Sequence, residues 1–161
     1  MPDHYYSPQP QSAHKPAVLS FAYRGHSLRF QTDSGVFSRL DIDKGTALLL
    51  DTLPQALSGS VLDMGCGYGV IGISVGKAYP VCAVTLVDIN ARAVALTREN
   101  AQTNGVAVHA VESDGYAEIP LLAIVNCQIV LQVMGVVFGN VVYDNLFSVK
   151  IEKLAANFTA D

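Results

Sequence analysis

Three short apolar stretches, each running into an acidic residue and separated by helical segments, constrain the fold of this chain more than any other feature. The first ends at Asp63 and leads into a loop with glycine at alternate positions. The second ends at Asp88, and the third runs into Ser113 and Asp114. Strands that alternate with helices of this length are typical of a parallel, doubly wound sheet. We therefore predict an α/β fold.

The limits of these elements follow from turn and capping residues. We predict a first strand at Val61–Asp63 after a turn at residues 58–60, with Asn90 as the N-cap of the second helix and Gly105 as its stop. The other predicted elements are a helix over Val70–Ala78, a strand over Val81–Val87, a helix over Arg92–Gln102 and a strand over Val106–Val111.

The part of the chain before this unit has a different pattern. Residues 1–16 are polar and rich in proline, and they lack the basic and apolar regions of a signal peptide. Leu19–Thr32 alternates in polarity around Arg24-Gly25, which predicts a β-hairpin that covers one edge of the core. An apolar cluster between Asp41 and Leu57 predicts a helix that is ended by Pro54.

Charge and cysteine content limit the classes of function. The net charge is −4, so a nucleic-acid substrate would have to meet a local basic patch. Half of the ten basic residues lie in the first 44 positions, which is a candidate patch or simply solvated surface. The three cysteines are odd in number and have no C-x-x-C pair, so we expect no disulfide framework, no metal site and a reducing, cytoplasmic location.

The last quarter of the chain changes in composition. Ile119–Tyr143 has no charged residue in 25 positions and is rich in β-branched side chains. Its length suits a membrane-spanning helix, but polar residues interrupt it and buried strands are at least as plausible, so we expect no membrane partner. We expect a domain over residues 17–120, incomplete at its C-terminal end, and an atypical apolar tail over residues 121–161 such as a frameshift would produce.

The glycine-rich loop predicts a ligand site, for which two cofactors compete. Gly67–Gly72 matches the dinucleotide pattern G-x-G-x-x-G, but that pattern should begin directly at the end of the strand. The acid before it, Asp63, would repel a pyrophosphate and could accept hydrogen bonds from an ammonium group, which favours S-adenosylmethionine. Asp88 could hold ribose hydroxyls and Asp114 an adenine amino group. Each acid alone could be a turn or cap residue, whereas the three together favour a ligand site.

Five segments in order resemble the bacterial ribosomal RNA guanine-N2 methyltransferases, the small methyltransferase domain of class I, Rossmann-like enzymes: HYYS, DSGVFSRLDIDKGTALLL, VLDMGCGYGVIG, VDINARAVALTRENAQTNG and ESDG. The resemblance runs from about His4 to Tyr116. It implies S-adenosylmethionine as cofactor and ribosomal RNA or a ribosomal subunit as partner. By this resemblance, the cofactor would be held at its methionyl part by Asp63, Gly65 and Gly67, at the ribose by Asp88 and at the adenine by Asp114. Two further segments would close over the cofactor. One is Gly35–Ser38, which includes Phe37, and the other is Asp43–Thr46.

The chain departs from this family in one respect. Members carry Asn-Pro-Pro after a fourth strand, where it grips the amino group to be methylated, and no Asn-Pro-Pro occurs here. Asn126 lies near the expected place without the prolines, and we assign no catalytic residue. Three functions follow as predictions: a guanine-N2 methyltransferase, a non-catalytic truncated domain of that kind, and a dinucleotide-dependent oxidoreductase.

Overall fold

A computed structural model describes residues 7–119 and the backbone of residues 127–132. Along the chain the elements are β1 (Ala17–Tyr23), β2 (His26–Thr32), α1 (Lys44–Thr52), β3 (Gly59–Met64), α2 (Val70–Ala78), β4 (Cys82–Asp88), α3 (Ala91–Asn104), β5 (His109–Glu112) and β6 (Cys127–Gln132).

The centre of the molecule is a parallel sheet of four strands in the order β5-β4-β3-β6. The predicted α/β fold with a parallel sheet is therefore confirmed. The predicted turn at residues 58–60 is wrong, because Gly59 and Ser60 already pair with Cys82 and Ala83 of β4. Parallel pairing with a neighbouring strand overrides the weak strand preference of glycine and serine.

The N-terminal hairpin was predicted correctly. β1 and β2 pair in antiparallel register around Arg24-Gly25, with Tyr23 opposite His26. The helix α1 begins at an N-cap, Asp43, whose side chain accepts a hydrogen bond from the Thr46 amide (3.1 Å). It ends at Thr52, earlier than predicted, because the chain becomes extended at Leu53 before a proline.

Capping residues place the two helices that flank the sheet. The limits of α2 agree with the prediction, and α3 has the predicted caps. The side chain of Asn90 accepts hydrogen bonds from the amides of Arg92 and Ala93, and Gly105 ends the helix in the left-handed conformation. β5 is shorter than predicted and begins only at His109.

One core joins the hairpin, α1, α2 and one face of the sheet. Its largest fully buried side chains include Phe30, Leu28, Leu50, Ile73 and Leu86. The hairpin supplies the first two of these, so it covers part of the core as predicted. Burial of side chains of this size from β2, α1, α2 and β4 makes the hairpin and the α/β unit one packed body.

Two asparagines on α3 fasten the hairpin to the α/β unit. The side chain of Asn104 accepts from the Arg29 amide (2.9 Å) and donates to the Arg29 carbonyl (2.8 Å). Asn100 makes the same pair of bonds with Gln31 (2.7 and 2.9 Å). Four residues of helix rise about 6 Å, and two residues of strand span about 6.6 Å, so the spacings match. Together the two amides, the asparagine clamp, pair with the edge of β2 as a neighbouring strand would.

The C-terminal prediction is tested only in part. β6 pairs in parallel with β3, so a strand lies inside the uncharged segment. Residues 120–126, with Asn126, and residues 133–161 lie outside the described part of the chain, and the domain division stays a prediction. Within the described residues, none of the helices has the length and hydropathy needed to cross a membrane.

Candidate functional site

The loops that follow β3, β4 and β5 lie side by side at the carboxyl edge of the sheet. The amides of Gly65 and Cys66 both donate to the Val87 carbonyl at the end of β4 (2.8 and 2.9 Å). The Ser113 amide, just after β5, donates to the Asp88 carbonyl (2.9 Å). These bonds bring the three predicted acidic positions to one edge, where ligands of open α/β sheets bind.

Asp63 is buried, and among the described residues only one of its two carboxyl oxygens has a hydrogen-bond partner. It lies one residue before the end of β3, not at the tip as predicted, and is 1% exposed. One oxygen, Oδ2, accepts a hydrogen bond from the Gly72 amide of α2 (2.8 Å). The other, Oδ1, has no hydrogen-bond partner among the described residues. Burial, and then the nearby charge of Asp88, raise the pKa of Asp63 to about 7.

Asp88 closes β4 and holds the glycine-rich loop. Its Oδ2 accepts from the Gly67 amide (2.8 Å) and its Oδ1 from the Asn90 amide (2.9 Å). Burial raises the pKa of Asp88, and these amide bonds oppose the rise. In the described part of the chain, neither Asp63 nor Asp88 forms an ion pair with a basic side chain. Among the described residues, the two acids therefore form a site that no basic side chain neutralises.

The glycines of the loop have two different tasks. Gly65 and Gly67 have positive φ angles of 69° and 57°, and a Cβ built on either would have no other heavy atom within 4 Å. By contrast, a Cβ on Gly72 would lie 2.5 Å from Leu86 Cδ2, and one on Gly69 would lie 2.7 Å from Ile73 Cδ1. The first two leave open space beside the acids, and the last two allow α2 to pack against its surroundings. The G-x-G-x-x-G pattern therefore mixes two functions.

The segment Gly35–Ser38 is tied to the site at both ends. The Gly35 carbonyl accepts a hydrogen bond from the Asn90 side chain (2.7 Å), and the Ser38 carbonyl accepts one from the Tyr68 hydroxyl (3.1 Å). Phe37, half-buried, lies between these two bonds. The segment therefore spans from the N-cap of α3 to the glycine-rich loop.

The remaining two predicted site residues lie differently. Asp114 is exposed in the turn after β5, which the Ser113 hydroxyl fixes by accepting from the Glu118 amide. Its neighbour Ser113 bonds to Asp88, so its backbone lies at the same edge. Thr46 is buried in the first turn of α1, and within the described residues no hydrogen bond joins it to Asp63 or Asp88.

Two residues outside the predicted set of site residues contact this site: Tyr68, for which the sequence leaves open whether it lines a pocket or packs, and Arg92, which the sequence does not mark. Tyr68 is buried, with its ring edge-on to Phe30 at 6.1 Å, so it packs, and its hydroxyl also holds the Ser38 carbonyl. Arg92 reaches the segment before Phe37 and donates to the Ser34 carbonyl (2.8 Å). No local pattern marks an arginine in the first turn of a helix as anything but surface. Of the described residues, no three His, Cys, Asp or Glu side chains are grouped to hold a metal.

Comparison with known proteins decides the family. The sequence profile of the methyltransferase small domain matches residues 27–126. The chain belongs to this family. The match covers most of β2, the glycine-rich loop and all three acidic positions, and it ends at the residue before β6.

Relatives of this small methyltransferase domain are longer than the chain. "Uncharacterized protein YbxB" of Bacillus subtilis is 38% identical over 121 residues, which is 74% of this chain and 60% of that protein. "Ribosomal RNA small subunit methyltransferase C" of Pseudomonas entomophila is 46% identical over 86 residues, 53% of this chain and 26% of that protein. The chain thus spans less than two thirds of either relative.

A solved structure shares the fold. The 16S rRNA N2 G1207 methyltransferase of T. thermophilus, in complex with AdoMet and guanosine, superimposes with a TM-score of 0.62 at 24% identity. The match covers 70% of this chain and 31% of that chain. It supports the Rossmann-like fold predicted for this small methyltransferase domain.

Proposed function

We propose that this chain binds S-adenosylmethionine at the carboxyl edge of its sheet and transfers its methyl group to a guanine N2 amine of ribosomal RNA. The observation that carries the proposal is the buried Asp63, whose Oδ1 lacks a partner among the described residues, next to Asp88. A buried carboxylate is stabilised by a hydrogen-bonding cation, and the ammonium group of the methionyl part is one.

The described residues fit this cofactor better than a dinucleotide. The open space beside Gly65 and Gly67 lets a ligand approach the backbone, and Asp88 can accept from ribose hydroxyls with its remaining lone pairs. Asp114 would receive the adenine amino group from its exposed turn, and Phe37 and Thr46 would lie on the covering side. A pyrophosphate would instead meet two acids that form no ion pair with a basic side chain of the described residues.

When bound, S-adenosylmethionine supplies a methyl group on a positively charged sulfonium. The chain's own residues would hold the nucleoside and exclude water, while the acceptor amine needs placement in line with that methyl group. No residue is assigned to that placement, because the sequence lacks Asn-Pro-Pro. The named activities of the relatives support ribosomal RNA as the partner. A cytoplasmic location belongs to this proposal too.

The missing Asn-Pro-Pro favours a second candidate function, a domain that binds the cofactor without methylating anything. Calorimetry with S-adenosylmethionine, S-adenosylhomocysteine and NADH, followed by a methyl-transfer assay on small ribosomal subunits, separates the candidates. We expect saturable binding of the first two ligands and none of NADH. Incorporation of methyl groups into ribosomal RNA supports the enzyme, and binding without incorporation selects the second candidate. Binding of NADH alone would overturn both.

A further inference from the structure

The polar N-terminal lead-in lies across the start of α3, next to the proposed site. Its residues 8–15 are called the strap here. The Pro8 carbonyl accepts a hydrogen bond from the Ala91 amide (3.0 Å), in the first turn of α3. At the other end, the Lys15 amide and the His14 ring bond to the side chain of Asp33, which is buried. The strap is therefore fastened at both ends, although its sequence has no pattern of a regular element.

Arg92 connects the strap to the segment that covers the site. Its guanidinium donates to the carbonyls of Pro10 (3.1 Å), Ser12 (3.1 Å) and Ser34 (2.8 Å). The first two carbonyls belong to the strap, and the third directly precedes Gly35. A planar guanidinium with five donors can hold three carbonyls at once, whereas a lysine ammonium on a flexible stem cannot do so in a fixed geometry.

The strap also lies directly on the backbone of Gly35. A Cβ on Gly35 would lie 2.8 Å from Pro10 Cβ and 2.9 Å from Ser12 Oγ, and the φ angle is 77°. Only glycine allows this approach. From Gly35 the contacts continue to Asp88, because the Gly35 carbonyl accepts from the Asn90 side chain and the Asn90 amide donates to Asp88. A continuous line of contacts thus joins the strap to the acid proposed to hold the ribose.

We infer that Arg92 is a positioning residue, which clamps the strap and the segment Gly35–Ser38 in place and thereby sets the affinity for the cofactor's nucleoside part. The inference rests on the proposed function. A segment held in its bound conformation before the ligand arrives does not have to be ordered on binding, and this raises affinity without any new contact to the ligand. Arg92 itself is not expected to touch the cofactor.

The test compares Arg92→Lys with a matched control, Arg98→Lys. Arg98 lies six residues further along α3, is exposed and donates to one carbonyl, that of Ala110 (2.8 Å). Amide hydrogen exchange of the unliganded protein should become faster in residues 8–15 and 34–38 of Arg92→Lys and stay unchanged in β3 and β4. The dissociation constant for S-adenosylmethionine should rise about 10-fold, a loss of preorganisation of a few ordered residues. The control should match the wild type in both measurements.

A second variant, Gly35→Ala, displaces the strap while Arg92 stays. We expect the same two segments to exchange faster. Unchanged exchange in Arg92→Lys would overturn the inference, as would faster exchange with an unchanged dissociation constant. If the wild type does not bind S-adenosylmethionine at all, the proposed function fails and takes the cofactor role of Arg92 with it. If the wild type binds and Arg92→Lys binds equally well, the inference fails alone.

Discussion

The two ends of α3 both hold backbone of the N-terminal region, but they do so with opposite consequences. At the C-terminal end, the asparagine clamp satisfies the amides and carbonyls of Arg29 and Gln31, and the side chain of Asn100 is fully buried. At the N-terminal end, Asn90 and Arg92 hold segments beside acids that, within the described part of the chain, form no ion pair with a basic side chain. One end of the helix adds stability to the fold, and the other maintains a site that costs stability until a ligand binds.

The largest expected effect is the pH dependence of the free energy of unfolding that arises from Asp63 in the candidate site. The folded pKa of Asp63 is about 7 and the ordinary value is 3.8. Its contribution to stability is therefore fully present below about pH 4 and is lost as the pH rises through 7. By about 1.4 kcal/mol per pKa unit, the free energy of unfolding should fall on the order of 4 kcal/mol across this range.

Urea denaturation at pH 5 and pH 8 measures the part of this difference that lies above pH 5, about 3 kcal/mol, with Asp63→Asn as the comparison. The asparagine side chain keeps an oxygen that can accept from the Gly72 backbone amide, but it cannot ionise. The variant should therefore lose most of the pH dependence. An equal decrease in the free energy of unfolding of the two proteins between pH 5 and pH 8 would show that Asp63 is not the group that titrates.

The next effect is at the C-terminal end of α3. Asn100→Ala removes the partners of the Gln31 amide and carbonyl and of the Tyr68 carbonyl (2.9 Å). Because buried polar groups lose their bonds, we expect a decrease of about 3 kcal/mol in the free energy of unfolding. Gln102→Ala, at an exposed position of the same helix, is the control and should change it little. A loss below about 1 kcal/mol for Asn100→Ala would mean that the clamp is dispensable.

A smaller difference in stability is expected between substitutions at glycines with close neighbours, such as Gly72, and at glycines beside open space, such as Gly65. Gly72→Ala places a methyl group 2.5 Å from Leu86 Cδ2, and should cost about 2 kcal/mol by overpacking. Gly65→Ala meets open space and should cost about 1 kcal/mol, through its positive φ alone. Thermal melting of the two variants gives the order. A reversed order would contradict the division of tasks between the glycines.

Elements held by local signals could be predicted from the sequence, and those that depend on distant partners could not. α2 and α3 were predicted within about two residues, because Asn90, Gly105 and the residue before Pro80 mark their ends. Gly59 and Ser60 were predicted as a turn, since their strand conformation comes from pairing with β4. The asparagine clamp and the Arg92 contacts join residues that are separated by 58 to 82 positions in the sequence. No local sequence pattern predicts such pairs.

The same distinction holds within the candidate site. The three acids were predicted to lie together because parallel strands end at one edge, and Asp63 and Asp88 do lie close enough for their charges to interact. Their different exposure was not predictable. Asp63 lies beneath α2 because Gly72 allows that helix to approach β4, whereas Asp114 follows a short strand and stays in solvent.

The central claim is that the acids at the carboxyl edge of the sheet bind a positively charged nucleoside. Its most direct test is the dissociation constant of S-adenosylmethionine for Asp88→Asn, measured by calorimetry. Asp51→Asn, which removes the same charge from an exposed position of α1, is the control. We expect the first variant to bind about 10- to 100-fold more weakly, since charge-assisted hydrogen bonds are lost. We expect the control to bind like the wild type. Equal affinity in all three proteins, or no saturable binding by the wild type, would contradict the proposed role of these acids.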